Sequence, residues 1–342
     1  MNKKKNNLPV IIMVLLLILI LTIVVMLAIK KNAAQANTQS ELAEGNTQAT
    51  EKWQEGVIKY NDTYYKFNNK IHTYLIMGID REGKVEEELA EGTTDGGQSD
   101  AMFLLVTNSE DETMTLISIN RNSMTDITIY GEGGLVLGTE KAQICTQHGF
   151  GDGKKLSCSR TVDAVSNLFY NLPIDGYLSI NMGAIPIMND AIGGTKVKVL
   201  QDLSYPSAGV NLKKGETVNL MGMEAYYYLR GRDQSEFDSA TDRLRRQEQY
   251  ITSYFSKMKE VAAGSKSKVL QVYEAIEDYI VTNIDFVDLV SELMSYEYHS
   301  DRSYTVPGET VMGETFEEYH VDDKALYDMI IEVFYKKVEV KK

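Results

Sequence analysis

The residues of this 342-residue chain whose types and spacing could do chemistry are two aspartates and a cluster of arginines. Asp80 closes the apolar run Thr73-Tyr74-Leu75-Ile76-Met77-Gly78-Ile79, and Asp100 opens the run Met102-Phe103-Leu104-Leu105-Val106-Thr107. If the two runs are neighbouring strands, their carboxylates meet at one sheet edge, where they repel unless protonated or bridged by a cation. Oxygen-only ligands suit Mg²⁺ or Mn²⁺, which keep waters and take phosphate oxygens as further ligands. On spacing alone each Asp reads first as a strand-end turn residue. The arginines are more informative. The chain has nine, and Arg230, Arg232, Arg243, Arg245 and Arg246 fall within seventeen residues. An extended backbone puts Arg230 and Arg232 on one side. On a helix, Arg243, Arg246 and Gln247 share a face with Tyr250, opposite the apolar stripe Leu244, Ile251, Phe255 and Met258. Guanidinium forks match phosphate oxygens bidentately. Asp233, Glu236, Asp238 and Asp242 offer salt bridges in the same stretch, and composition leaves the two readings balanced. Arg121 follows a third apolar run, residues 114–119, so its head should emerge at the Asp80 edge. A metal and an arginine cluster at one edge are the parts of a phosphoryl-transfer site, where the protein supplies position and positive charge.

The elements that must position these residues are strands alternating with helices. Residues 57–67 read as a small hairpin with an Asn-Asp turn. Residues 73–80, 102–107 and 114–119 lack polar alternation, as strands buried on both faces do. Further strands are expected at 176–180, 197–200 and 304–306. Amphipathic helices are expected at 160–170, 183–192 (stopped by Gly193-Gly194), 222–230, 242–258, 269–279, 286–296 and 325–334. This alternation indicates an α/β sandwich. No internal repeat is evident.

Residues 8–29 form an apolar run interrupted only by Pro9 and Thr22. As a helix it spans roughly 33 Å, enough to cross a bilayer. Lys3, Lys4 and Lys5 precede it, so the positive-inside preference puts residues 1–7 in the cytoplasm. A cleaved signal peptide is the alternative, but its apolar region is usually shorter, and Ala33-Ala34-Gln35-Ala36 is only the nearest approach to a cleavage site. The expected organisation is a transmembrane helix at 8–29, an extracytoplasmic tether at 30–55 and an extracytoplasmic domain at 56–342. The net charge of −14 argues against general nucleic-acid binding. Cys145 and Cys158, with a twelve-residue spacer, are expected to form a disulfide on the far side of the membrane, with two free thiols as the alternative. Four scattered histidines and two cysteines do not make a recognised Zn site. No nucleophile-elbow context supports serine hydrolysis.

The ordered set Gly78-Ile79-Asp80, Ser99-Asp100-Ala101, Ser118-Ile119-Asn120-Arg121-Asn122-Ser123, Lys141, Tyr228-Leu229-Arg230-Gly231-Arg232 and Asp242-Arg243-Leu244-Arg245-Arg246-Gln247 resembles the LytR-CpsA-Psr family. The motifs lie within residues 71–259, with a helical remainder at 260–342. The resemblance implies an αβα sandwich with a central mixed β-sheet flanked by helices. It implies a Mg²⁺-dependent phosphotransferase (Mn²⁺ being the other candidate metal) with a pyrophosphatase side activity. Such enzymes move a glycopolymer, such as teichoic acid or capsule polysaccharide, from an undecaprenyl-pyrophosphate carrier to peptidoglycan through a phosphodiester. By residue, it implies Asp80 and Asp100 as metal ligands. Arg121, Lys141, Arg230, Arg232, Arg243 and Gln247 would bind pyrophosphate, with Asp242 or Arg121 assisting proton removal from the acceptor hydroxyl. The apolar helices would line a slot for the polyprenyl tail. The chain departs from the family at Gln98-Ser99-Asp100-Ala101, where the pattern is Arg-Ser-Asp-Thr, and at Asn120-Arg121-Asn122-Ser123, where it is Pro-Arg-Asp-Thr. A non-catalytic membrane-anchored module that binds isoprenoid pyrophosphates, or a regulator of cell-envelope gene expression, are the alternatives.

Overall fold

The structure is a computed structural model that describes residues 56–86, 96–131, 134–233, 235–298 and 303–339. The expected cytoplasmic segment, transmembrane helix and tether lie outside the described residues. Among the described residues no helix is long and apolar enough to cross a membrane.

The strands are β1 (Ile58–Tyr60), β2 (Thr63–Phe67), β3 (Ile71–Ile79), β4 (Ser99–Asn108), β5 (Thr113–Ile119), β6 (Met124–Tyr130), β7 (Val136–Gln143), β8 (Gly176–Asn181), β9 (Thr195–Lys198), β10 (Leu203–Tyr205), β11 (Val210–Leu212), β12 (Thr217–Leu220), β13 (Ile280–Thr282), β14 (Glu297–Tyr298), β15 (Tyr304–Thr305), β16 (Gly308–Met312), β17 (Glu317–Val321) and β18 (Tyr335–Lys337). The helices are α1 (Lys155–Leu168), α2 (Ala184–Ala191), α3 (Met223–Arg230), α4 (Ser239–Gly264), α5 (Lys266–Ile276), α6 (Phe286–Ser295) and α7 (Asp323–Phe334). A 3₁₀ turn, Ile144–Phe150, links β7 to α1.

The central sheet runs β13-β8-β3-β4-β5-β14, with β15 also on β5. It is mixed: β8 is parallel to β3, β4 is antiparallel to both β3 and β5, and β14 and β15 are parallel to β5. The continuous apolar run of β4 follows from its central place, because each face is covered. On one face Leu75, Met102, Leu104 and Ile117 pack with Val165 of α1 and Ile330 of α7. On the other, Phe103, Leu105 and Leu116 pack with Leu244 of α4 and Leu289 of α6. The result is the expected αβα sandwich. A satellite core joins β9–β12 to Ala225 and Tyr228 of α3 and Tyr250 of α4.

The β1–β2 hairpin turns through Asn61 and Asp62, both at positive φ (46° and 59°), as a two-residue hairpin requires. Its outer edge is completed by β18. Three hairpins were not legible in the sequence, β6–β7, β10–β11 and β16–β17. Most of β7 is exposed, so it carries no burial pattern that a period could reveal.

Candidate functional site

Strand β3 ends by delivering Asp80, and β4 begins by delivering Asp100. Gln98 clips them together. Its carbonyl accepts from the Asp80 and Asp100 amides, both at 3.1 Å, and its own amide donates to Asp80 Oδ1 at 2.7 Å. Gly97 makes this possible: its φ is +83°, and a Cβ there would fall 3.0 Å from Asp80 Oδ1 and 2.8 Å from Ile79 Cγ2.

Asp100 is the hub. Arg121, just past β5, places Nη1 2.8 Å from Oδ1, and Arg243 of α4 places Nη1 2.9 Å from Oδ2. The Arg121 contact is off the hydrogen-bonding direction, so Oδ1 is buried without a hydrogen bond. The Arg121 head is fixed on its other sides by Gln98 Oε1 and by Cys145 Sγ, which lies 2.9 Å from Nη2 and 3.3 Å from Nε. Burial alone would lower the Arg121 pKa. The Cys145 sulfur and the Asp100 carboxylate outweigh it and hold the guanidinium above its ordinary value.

Arg232 joins the cluster from the segment after α3. Its Nε donates to Ser239 Oγ at 2.8 Å, and its Nη2 is 3.4 Å from Glu317 Oε2. Burial and the neighbouring charge of Arg243 lower its pKa, against the pull of Glu317. Arg230 is half-exposed, with Nη1 3.8 Å from Glu82 Oε1.

The other members of the arginine cluster and of the expected site make further contacts or fall elsewhere. Arg246 is fully buried, donating from Nη1 to the Tyr228 carbonyl at 2.7 Å and from Nη2 to the Gly231 carbonyl. It caps a carbonyl in the last turn of α3 and that of Gly231 just beyond it, and so braces the Arg230–Arg232 segment. Gln247, expected on the pyrophosphate, donates its Nε2 to the Leu229 carbonyl at 3.2 Å in the same capping role. Lys141 is exposed on β7, with Asp126 across the hairpin as its ion-pair partner at 3.3 Å. Asp242 sits in an exposed i,i+3 pair with Arg245 at 2.9 Å. The expected disulfide is absent: Cys145 and Cys158 are free and buried. Each sulfur has other company, Cys145 on Arg121 and Cys158 4.0 Å from His148 Nε2 inside the α1 core. Burial pushes the Cys158 thiol up to about 12, and it raises that of Cys145 against the pull of Arg121.

Sequence reasoning missed Glu82 and Glu317 as partners of Arg230 and Arg232. Glu82 had a signal, since it lies two residues beyond Asp80. Glu317 had none, because β17 reaches the site only through the tertiary fold.

A cavity of about 240 Å³ opens beside this cluster. Asp100, Arg230, Arg243 and Gln247 stand among its lining residues, and the others are almost wholly apolar, drawn from β3, β4, β8, α2, α4, α5 and α6. One end therefore presents guanidinium donors beside Asp100 and the body is greasy, a shape complementary to a lipid that carries a phosphate head.

Four guanidiniums (Arg121, Arg230, Arg232, Arg243) face four carboxylates (Asp80, Glu82, Asp100, Glu317), so the site has no net charge of its own. Among the described residues no three His, Cys, Asp or Glu side chains gather as a metal cluster. The two aspartates, one with a buried oxygen lacking a hydrogen bond, fit a cation that completes its shell with water and phosphate oxygens.

The LytR_cpsA_psr family model matches residues 25–332. The polyisoprenyl-teichoic acid–peptidoglycan teichoic acid transferase TagU of Enterococcus faecalis is 26% identical over 73% of this chain and 74% of its own length. The protein of the same name from Bacillus subtilis is 27% identical over 76% of each chain. The crystal structure of TagV from B. subtilis superposes with a TM-score of 0.61 at 22% identity, covering 78% of this chain and 96% of that one, and so shares the fold.

Proposed function

Since the chain belongs to the LytR-CpsA-Psr family, we propose that it transfers a glycopolymer from a polyprenyl-pyrophosphate carrier to peptidoglycan through a phosphodiester. The observation that carries this reading is the arginine-lined end of an otherwise apolar cavity. The relatives named as teichoic acid transferases support the substrate class.

The tail lies in the cavity, and the pyrophosphate lies across Arg121, Arg230, Arg232 and Arg243. Arg121, Arg232 and Arg243 are held in part-buried ion pairs before any substrate arrives, so their donors wait where negative charge develops in the transition state. The acceptor hydroxyl oxygen attacks the sugar-linked phosphorus. The bond from that phosphorus to the bridging oxygen breaks, the polyprenyl phosphate leaves, and the hydroxyl proton passes to solvent. With water as the acceptor the same step is hydrolysis of the carrier, the pyrophosphatase side activity.

Asp80 and Asp100 would hold Mg²⁺ or Mn²⁺, which supplies Lewis-acid neutralisation of the diphosphate when bound. A site without net charge gains little from an anion alone, which favours a bound cation. Arg121, at the phosphate, is the catalytic residue of this proposal. Asp242 is left out because its carboxylate is paired with Arg245 on the helix surface. Residues 8–29 anchor the domain in the cell membrane, on the far side from the N-terminus, where the carrier leaves the bilayer.

The test is transfer from a polyprenyl-pyrophosphate-linked saccharide to peptidoglycan by the purified full chain. Arg230→Ala, half-exposed and outside the buried network, should keep the fold and lose about 10²–10³ in rate. Wild-type transfer by that variant would refute the site. Donor binding by the wild type without turnover would identify a binding module instead.

A further inference from the structure

A second cavity, of about 630 Å³, shares no lining residue with the first and meets the Arg121 unit through Gln98. Its volume falls within the roughly 300–1,000 Å³ of small-molecule sites. Gln98 lines it, and Gln98 is the residue whose Oε1 accepts from Arg121 Nη2. Arg121 therefore contacts a lining residue of each cavity, Asp100 of the first and Gln98 of the second.

The character of this cavity differs from that of the lipid cavity. Tyr130 closes β6, and the Arg160 guanidinium carbon lies 3.4 Å from its ring centroid. Arg160 also donates to the Phe150 carbonyl, which fixes the loop that joins the 3₁₀ turn to α1. Thr146 and Asp152 line the same cavity, so two aromatic residues, Tyr130 and Phe150, stand with polar ones in its wall. Asp152 Oδ1 accepts from the Lys154, Leu156 and Ser157 amides at 2.8, 3.1 and 3.2 Å, so the glycine-rich stretch 149–153 is anchored rather than loose. Flat apolar rings beside hydroxyl, carboxylate and guanidinium groups suit a pyranose, which presents C–H faces and an equatorial belt of hydroxyls.

The reaction gives this cavity a direction. In phosphoryl transfer the attacking and leaving oxygens lie roughly in line through phosphorus. The leaving polyprenyl phosphate is held by its tail in the first cavity. The attacking hydroxyl must then come from the far side of phosphorus, away from the tail, while the donor's own sugar, an off-line substituent of the same phosphorus, points aside; the second cavity meets the same arginine through Gln98 and shares no wall with the first. We propose that the cavity formed by Gln98, Tyr130, Thr146, Phe150, Asp152 and Arg160 binds the acceptor glycan and presents its hydroxyl to the phosphate. This rests on the transfer reading above.

The test uses the full chain, a polyprenyl-pyrophosphate-linked disaccharide as donor and a soluble β-1,4-linked N-acetylhexosamine oligosaccharide as acceptor. Tyr130→Ala removes the ring, and Thr146→Phe fills the cavity from another wall. Each should raise the acceptor KM about tenfold or more, a loss of one good contact, with donor binding and donor hydrolysis by water unchanged. A rise in donor KM with acceptor KM unchanged would mean that the cavity holds donor sugar and would overturn the proposal, as would no change in either. If the wild type binds donor but neither transfers nor hydrolyses it, the transfer reading fails. Calorimetric binding of the oligosaccharide, present in the wild type and lost in Thr146→Phe, still reads the cavity by itself, and its absence in the wild type overturns the proposal.

Discussion

Asp100→Asn separates charge from shape at the hub of the site. The carboxylate lies 2.8 Å from one guanidinium and 2.9 Å from another, and the three side chains are 15%, 16% and 7% exposed. At an effective dielectric near 20, each contact at about 4 Å is worth about 4 kcal/mol in gross Coulomb energy. Desolvation consumes much of that gain, but removing one member of a buried pair still costs about 3–5 kcal/mol because the partners stay charged and buried. For a domain of this size that is a fall in Tm of roughly 6–20 °C. The asparagine site also carries one more net positive charge than the native one. In EDTA, inorganic pyrophosphate should therefore raise the Tm of Asp100→Asn more than that of the wild type, although the variant transfers nothing when Mg²⁺ is added. Scanning calorimetry with and without pyrophosphate reads both effects. A loss below about 1 kcal/mol, or an equal response to pyrophosphate, would refute the hub role of Asp100.

Other consequences can be checked one at a time. Arg246→Ala uncovers the Tyr228 and Gly231 carbonyls and should cost about 2–5 kcal/mol by urea unfolding; Arg246→Lys should recover little of it, because an ammonium lacks the fork that reaches both. Since both thiols are free, dithiothreitol should leave the Tm unchanged, whereas losing a disulfide of this loop length would cost roughly 3 kcal/mol. Their raised pKa values hold both as neutral thiols at pH 8, so native protein should resist iodoacetamide and unfolded protein should react. The lipid cavity, at about 240 Å³, is below the size of a drug-sized pocket, so a long polyprenyl chain must part its walls. Hydrogen exchange in α5 and α6 should change on adding a polyprenyl phosphate, and an unchanged pattern there would place the tail elsewhere.

The central strands were legible because burial on both faces leaves an uninterrupted apolar run, and Asp80, Asp100 and Arg121 could be placed at their ends for the same reason. The helices of the C-terminal half were legible from their apolar period. The arginine cluster was legible as a cluster but not residue by residue. Arg243 and Arg246 lie one turn apart on α4, yet one meets a carboxylate at the site and the other caps α3, and a guanidinium looks the same in sequence whichever it does. Gln247 lines the cavity beside Arg243 and also gives its amide to the Leu229 carbonyl, a second contact that its type does not show. Lys141 depended on where β7 runs, and β7 has no apolar signal to reveal it. The cysteine spacing permitted a bridge, but spacing does not show that Arg121 claims one sulfur while the α1 core encloses the other.

The most direct test of the central claim is a crystal structure of the domain with geranylgeranyl pyrophosphate and Mn²⁺. The expected result is an anomalous Mn²⁺ peak between Asp80 and Asp100, the diphosphate among Arg121, Arg230 and Arg243, and the isoprenoid in the apolar cavity. A diphosphate bound away from those arginines, or an isoprenoid outside that cavity, would contradict it.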